Sequence, residues 1–127
     1  IEHYGLLREK TAKGRYERCE PHHSWTCNFV LSNLVLFHLE RHSDHHSHPS
    51  RRYQSLRHFP NVPQLPNGYF GMYFLAYFPS AWFHVMDKRL MALAHVDGDL
   101  DKVNIDPDAR PAIFLRWGQD KMVEPTI

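Results

Sequence analysis

Cysteine is nearly missing from this 127-residue chain: there are 2, Cys19 and Cys27, and no CxxC pair. That excludes a disulfide-built scaffold and the thiolate-rich sites of zinc ribbons and iron–sulfur clusters, and it favours a reducing compartment. The stretch Cys19-Glu20-Pro21-His22-His23-Ser24-Trp25-Thr26-Cys27 fits no standard zinc spacing and reads as two small packed thiols. An excess of charge of one sign is missing too. With 15 Lys and Arg against 14 Asp and Glu, the formal charge is +1, so nothing argues for nucleic acid as a partner. There is no glycine-rich phosphate loop, GxSxG elbow, internal repeat or low-complexity run. A long uninterrupted apolar segment is lacking as well. The run 69–86 carries no Asp, Glu, Lys or Arg, but Pro79 interrupts it. It also falls a little short of the ~20 residues that span a bilayer.

Histidine is what the chain has in excess, at 11 residues. Imidazole suits iron, zinc, copper and nickel. Five of the histidines fall between His38 and His48, ahead of Pro49. On a helix, His42, His45 and His46 stand at i, i+3 and i+4, with His38 one turn earlier on the same side. The i and i+4 pair clamps one ion, and the i+3 residue allows a reach to a second. These three are therefore candidate metal ligands. Asp44 and Arg41 lie off the stripe, which suits orienting or surface roles. Glu40 is nearly opposite His42 and reads as solvated or salt-bridged. His48 falls at the frayed end by Pro49, and His22 and His23 read as supporting or loop contacts. Isolated histidines such as His58, His84 and His95 read as packed or exposed side chains.

The pattern is mainly helical. Residues 1–5 read as the end of a helix capped by Gly5. A short hairpin near residues 6–19 turns at Ala12-Lys13-Gly14. The repeat of Leu31, Val35, Leu39, His42 and His46 predicts one helix from about Asn28 to His48, stopped by Pro49. Arg51 to His58 is a basic connector with one helical turn, and Pro60, Pro63 and Pro66 keep the next stretch extended. Two helices meet at Pro79, either buried or lying at a membrane surface, where Tyr and Trp are favoured. Asp97-Gly98-Asp99-Leu100-Asp101 lacks the twelfth-position glutamate of an EF-hand and reads as a loop. A short helix closes the chain over 108–117, with Asp106 or Asp108 near its N-terminus.

Two of these strings resemble a known family. Ile1-Glu2-His3-Tyr4-Gly5-Leu6-Leu7-Arg8 resembles the N-Y-x-E-H-Y-G motif of the membrane-bound alkane 1-monooxygenases, entered two residues late. Leu39-Glu40-Arg41-His42-Ser43-Asp44-His45-His46-Ser47-His48-Pro49 is similar to their L-Q-R-H-S-D-H-H-A motif. His23-Ser24-Trp25, Arg51-Arg52-Tyr53 and Pro63-Gln64-Leu65-Pro66 also look like that family, in the right order and spacing. The resemblance implies the cytoplasmic helical C-terminal part of an integral enzyme of the bacterial inner membrane. It implies two iron ions, held almost wholly by histidine. It implies O2-dependent hydroxylation of the terminal carbon of n-alkanes to 1-alkanols, with electrons from rubredoxin. On that pattern His3, His42, His45 and His46 are iron ligands, and Glu2 and Asp44 are supporting residues. Arg51, Arg52 and Arg57 are a candidate docking patch for rubredoxin.

The family's two earlier histidine boxes, H-E-x-x-H-K and E-H-x-x-G-H-H, are not in this chain. Residues 1–127 therefore read as a single C-terminal piece of a larger membrane enzyme, expected to bind metal weakly and to be inactive alone. Glu40 replaces the family's usual Gln and Ser47 its Ala, neither at a ligand. A fatty-acid desaturase, a xylene-type monooxygenase and a non-enzymatic zinc or nickel module are the alternatives.

Overall fold

The structure is a computed structural model and describes residues 1–119. Five α-helices carry it: α1 Val30–Val35, α2 His42–Ser47, α3 Tyr69–Ala76, α4 Pro79–Met91 and α5 Arg110–Arg116. Single 3-10 turns stand at Pro21–His23, Tyr53–Ser55 and Leu100–Lys102. The expectation of a mainly helical chain holds. The hairpin is reduced to one antiparallel bridge, Lys10 to Tyr16, with Gly14 left-handed at its turn. Two further bridges, Leu6 to Val103 and Thr26 to Gln64, tie distant loops together.

The long helix expected over 28–48 is not there. The chain leaves α1 at Leu36, takes left-handed dihedrals at Phe37 and His38, and starts again as α2 at His42. Left-handed backbone is costly for residues with a side chain, so surrounding contacts must fix it. Tyr53 supplies them. Its ring meets Phe37 edge-on at 5.3 Å, and its carbonyl lies 3.2 Å from His38 Nδ1. The turn exists because Glu40 goes inward. Its carboxylate is fully buried and accepts N–H bonds from Phe29 and Tyr69, both 2.9 Å, at the starts of α1 and α3. A solvated or salt-bridged Glu40 is thus overturned. A straight helix could not bring its carboxylate to both amides. Helical periodicity misled for a second reason. Helix α1 points Ser32 and Asn33 inward and leaves Val30, Leu31, Leu34 and Val35 outward.

The pair α3 and α4 does meet at Pro79, which occupies the first position of α4, where its missing N–H costs nothing. One face of the pair is buried through Tyr69, Met72, Trp82 and Met86, packed with Trp25 and Val96 into the core. The other leaves Phe70, Phe74, Tyr77 and Phe78 exposed, so neither helix is wholly buried. Among the described residues no helix is long and apolar enough to cross a membrane. Asp106 accepts N–H bonds from Asp108 and Arg110 ahead of α5, and Arg116 joins Asp87 of α4 at 3.2 Å. The 97–101 segment is a loop, as expected, with Asp99 capping the turn that follows it.

Residues 1–5 form a turn rather than the last turn of a helix, and Gly5 takes φ +69°. A Cβ there would strike the Leu90 side chain. Gly5→Ala is expected to cost about 1–3 kcal/mol through backbone strain and the forced shift of Leu90. A lowered urea midpoint with unchanged m-value would register it.

Candidate metal centre

One loop segment brings His3 to the helix that carries the other histidines. His23, Ser24 and Trp25 are all buried. Trp25 donates its amide to the Glu2 carbonyl at 2.7 Å and its indole N–H to the Tyr4 carbonyl at 2.8 Å. Those two bonds grip the backbone on either side of His3. From α2, Ser43 donates its hydroxyl to the Ser24 carbonyl at 3.1 Å. The same three residues thus hold the N-terminal turn and α2 against each other. The Thr26 hydroxyl adds a bond to the Glu40 carbonyl at 2.7 Å, just before α2.

The result is a convergence of imidazoles. His3 Nδ1 lies 3.0 Å from the His23 carbonyl and 3.5 Å from the Ser24 hydroxyl. A carbonyl can only accept, so Nδ1 carries the proton and Nε2 presents a lone pair. That Nε2 stands 3.2 Å from His46 Nε2 and 3.3 Å from His42 Nε2. Ligand atoms of His3, His42 and His46 all lie within 4.8 Å of one another. Two nitrogens each about 2.1 Å from one ion stand roughly 3.0–3.4 Å apart, so these three fit a single transition-metal ion. His45 is a neighbour but not a member of this trio; its ring centre is 5.4 Å from that of His46 and 6.0 Å from that of His42. His38, bound to the Tyr53 carbonyl, does not join them. The Cys19 and Cys27 pair gains nothing as a zinc site, because burial and the Glu40 carboxylate push the Cys27 thiol up, away from thiolate.

Burial and neighbouring imidazoles favour the neutral forms of His42 and His46. Burial, then the imidazoles of His46, His3 and His45, push His42 down to about 3. Its Nδ1 is buried without a hydrogen bond of good geometry among the described residues. Burial also lowers His46, with help from His3 and His45 and against the nearby Glu2 carboxylate. A neutral imidazole is the coordinating form. Below its ordinary value near 6.5, the unfolded His42 takes up a proton that the folded one refuses. Stability without metal is therefore full above about pH 6.5 and falls as pH drops toward 3, by at most about 1.4 kcal/mol per pH unit for this group. Urea midpoints at pH 7.5, 6 and 5 are expected to decline in that order.

The Asp44 carboxylate faces the 48–57 segment. It is fully buried in α2. Arg51 reaches its Oδ2 at 2.5 Å, the Arg57 amide donates to the same oxygen at 2.9 Å, and His48 Nδ1 lies 3.0 Å from Oδ1. Burial opposes its charge, but the Arg57 amide and the Arg51 guanidinium outweigh burial and hold the carboxyl below the usual range. Of the proposed docking arginines, Arg51 and Arg57 are thus engaged with Asp44, and Arg52 is exposed with no ion pair among the described residues. Beside the trio opens a cleft of about 410 Å3 that exposes the edges of His3 and His46 between Arg8, Tyr16 and Cys19.

The site defines a class: a helical scaffold that presents a histidine cluster fit for a transition-metal ion. No family model matches the chain. Among curated proteins it is similar to alkane 1-monooxygenase 1 of Alcanivorax borkumensis, 61% identical over 118 residues, 93% of this chain and 29% of that protein. The alkane 1-monooxygenase of Ectopseudomonas oleovorans is 53% identical over 118 residues, again 93% of this chain and 29% of the relative. That of Acinetobacter baylyi is 48% identical over all 127 residues, 30% of its own length. The chain is a homologue of one stretch of the alkane 1-monooxygenases, and it spans about 29% of the length of the relatives it matches.

Proposed function

We propose that this chain supplies one side of the iron site of a membrane-bound alkane 1-monooxygenase. The parent enzyme would convert n-alkanes to 1-alkanols with O2 and rubredoxin-supplied electrons at the cytoplasmic face of the inner membrane. The observation that carries the reading is the convergence of His3, from one motif, with His42 and His46, from another 39 residues on. His3, His42 and His46 would hold one ion, with His45 turned toward a second iron. A bound pair of irons supplies the O2 and electron chemistry. The chain's own residues do the positioning. The His23 carbonyl fixes which nitrogen of His3 faces the metal. Asp44 holds the loop 48–57 against α2. Glu2 places a negative field beside His46, which favours a cation there. Rubredoxin would approach near exposed Arg52. The remaining ligands and the substrate channel would come from the other two-thirds of the enzyme, so the chain alone is expected to bind metal weakly and to make no alkanol.

The test is a chimera in which this chain replaces the homologous stretch of the Alcanivorax borkumensis enzyme. It is expected to contain iron and to convert octane to 1-octanol with rubredoxin, and to lose both iron and product on His42→Ala. A folded, membrane-inserted chimera that holds zinc, or that holds iron and yields no alcohol, would sink the proposal. Alkene as the product would point to a desaturase instead.

A further inference from the structure

We infer that His23 is a positioning residue for His3, and that Glu17 on the hairpin locks the His23 ring. The inference rests on His3 as a metal ligand and adds what holds it. His23 is buried and uses every polar group it has. Its amide donates to the Glu20 carbonyl at 3.0 Å, and its Nδ1 accepts the Glu20 amide at 3.0 Å. An accepting Nδ1 leaves the proton on Nε2, which faces Glu17 Oε1 at 3.1 Å. Its carbonyl takes the His3 Nδ1–H. Glu17 is itself set in place by the hairpin, since Oε1 accepts the Glu9 amide at 2.9 Å and the Glu17 amide donates to the Glu9 carbonyl.

The line from the surface to the cluster is therefore continuous: hairpin, Glu17 carboxylate, His23 ring, the turn Pro21–His23, the His23 carbonyl, then His3. Hydrogen bonds join Glu9 to Glu17, Glu17 to the His23 ring and the His23 carbonyl to His3, and the covalent frame of His23 itself connects its ring to its carbonyl. Burial lowers the affinity of His23 for a second proton, the nearby His22 ring adds to the effect, and the Glu17 carboxylate opposes it. A metal-bound imidazole commonly gives its other N–H to such a carbonyl, and loss of that partner typically costs about 10- to 100-fold in affinity. The two faces of His3 are thus governed by different parts of the chain. Trp25 sets its backbone, and His23 sets its ring.

The experiment has two readouts on the full 127-residue chain, with far-UV circular dichroism as the fold control. The first is the tautomer of His3 in the metal-free protein at pH 7.5, by long-range 1H–15N NMR. The second is the dissociation constant for Co2+, from its absorption bands. His23→Phe keeps the ring and drops both nitrogens. It is expected to turn the single Nδ1–H form of His3 into a mixture and to weaken Co2+ about 10- to 100-fold. Glu17→Ala is expected to weaken it about 10-fold, and Glu17→Gln, which can still accept from Nε2–H, to restore it to within about threefold. If His23→Phe does not fold, the Glu17 pair, on an exposed hairpin, decides the question. An unchanged His3 tautomer and Co2+ affinity in folded His23→Phe, or in Glu17→Ala, would overturn the inference. Failure of the unsubstituted chain to bind Co2+ would instead count against His3 as a ligand, while the metal-free tautomer would still decide the role of His23.

Discussion

His42→Ala is expected to weaken Co2+ or Zn2+ binding by the chain about 100-fold. Four-ligand structural sites bind zinc with about 10–16 kcal/mol, near 3 kcal/mol for each ligand, and 1.4 kcal/mol is a factor of ten. His42 is the buried member of the trio, its Nε2 3.3 Å from that of His3. No other described imidazole is placed to take over its position. His45→Ala, by contrast, leaves the three convergent nitrogens in place and is expected to change Co2+ affinity less than about threefold in the chain alone. In the chimera the two substitutions should be equally harmful, because there a second ion would use His45. Isothermal titration of both variants checks the first pair of expectations. Equal losses in the isolated chain would mean that all four imidazoles already share one ion.

The second large effect falls on stability. Glu40→Ala is expected to destabilise the chain by about 2–6 kcal/mol. Two backbone N–H groups, of Phe29 and Tyr69, lose their acceptor at a buried site, at about 1–3 kcal/mol each. Against a typical total of about 5–15 kcal/mol, that is a large fraction of the whole. Glu40→Gln keeps one accepting oxygen and turns an amide NH2 toward the other N–H, so about half the loss is expected. Urea unfolding monitored at tryptophan gives both numbers. A loss below about 1 kcal/mol for the alanine variant would mean that water reaches both amides and that Glu40 does not set the turn between α1 and α2.

Glu40 also explains why the sequence was only partly readable. The candidate ligands on α2 stood out, because imidazoles at i and i+4 make a pattern that ordinary packing does not ask for. The helical stretch before Pro49, within the longer helix expected over 28–48, and the break at Pro79 followed from local rules that tertiary contacts did not override. The helix through Leu36 to Arg41 failed because a buried carboxylate with two distant backbone partners leaves no local trace. Its reach to Tyr69 spans 29 residues. The outward apolar face of α1 failed for a similar reason, since periodicity reports that a face is apolar and not what it meets. His3 was legible only through family resemblance, as one histidine in a turn, and its partners Ser24, Trp25 and Ser43 act through backbone carbonyls that any sequence contains.

Helix α1 has a consequence for handling the molecule. Val30, Leu31, Leu34 and Val35 are each more than half exposed, while Ser32 and Asn33 are tucked inside. In water such a strip is adhesive. Concentrated solutions of the isolated chain are expected to self-associate through this strip, which light scattering across a concentration series would register. A mild non-ionic detergent, or polar substitutions at Leu31 and Leu34, would change its colloidal behaviour while leaving every histidine where it is.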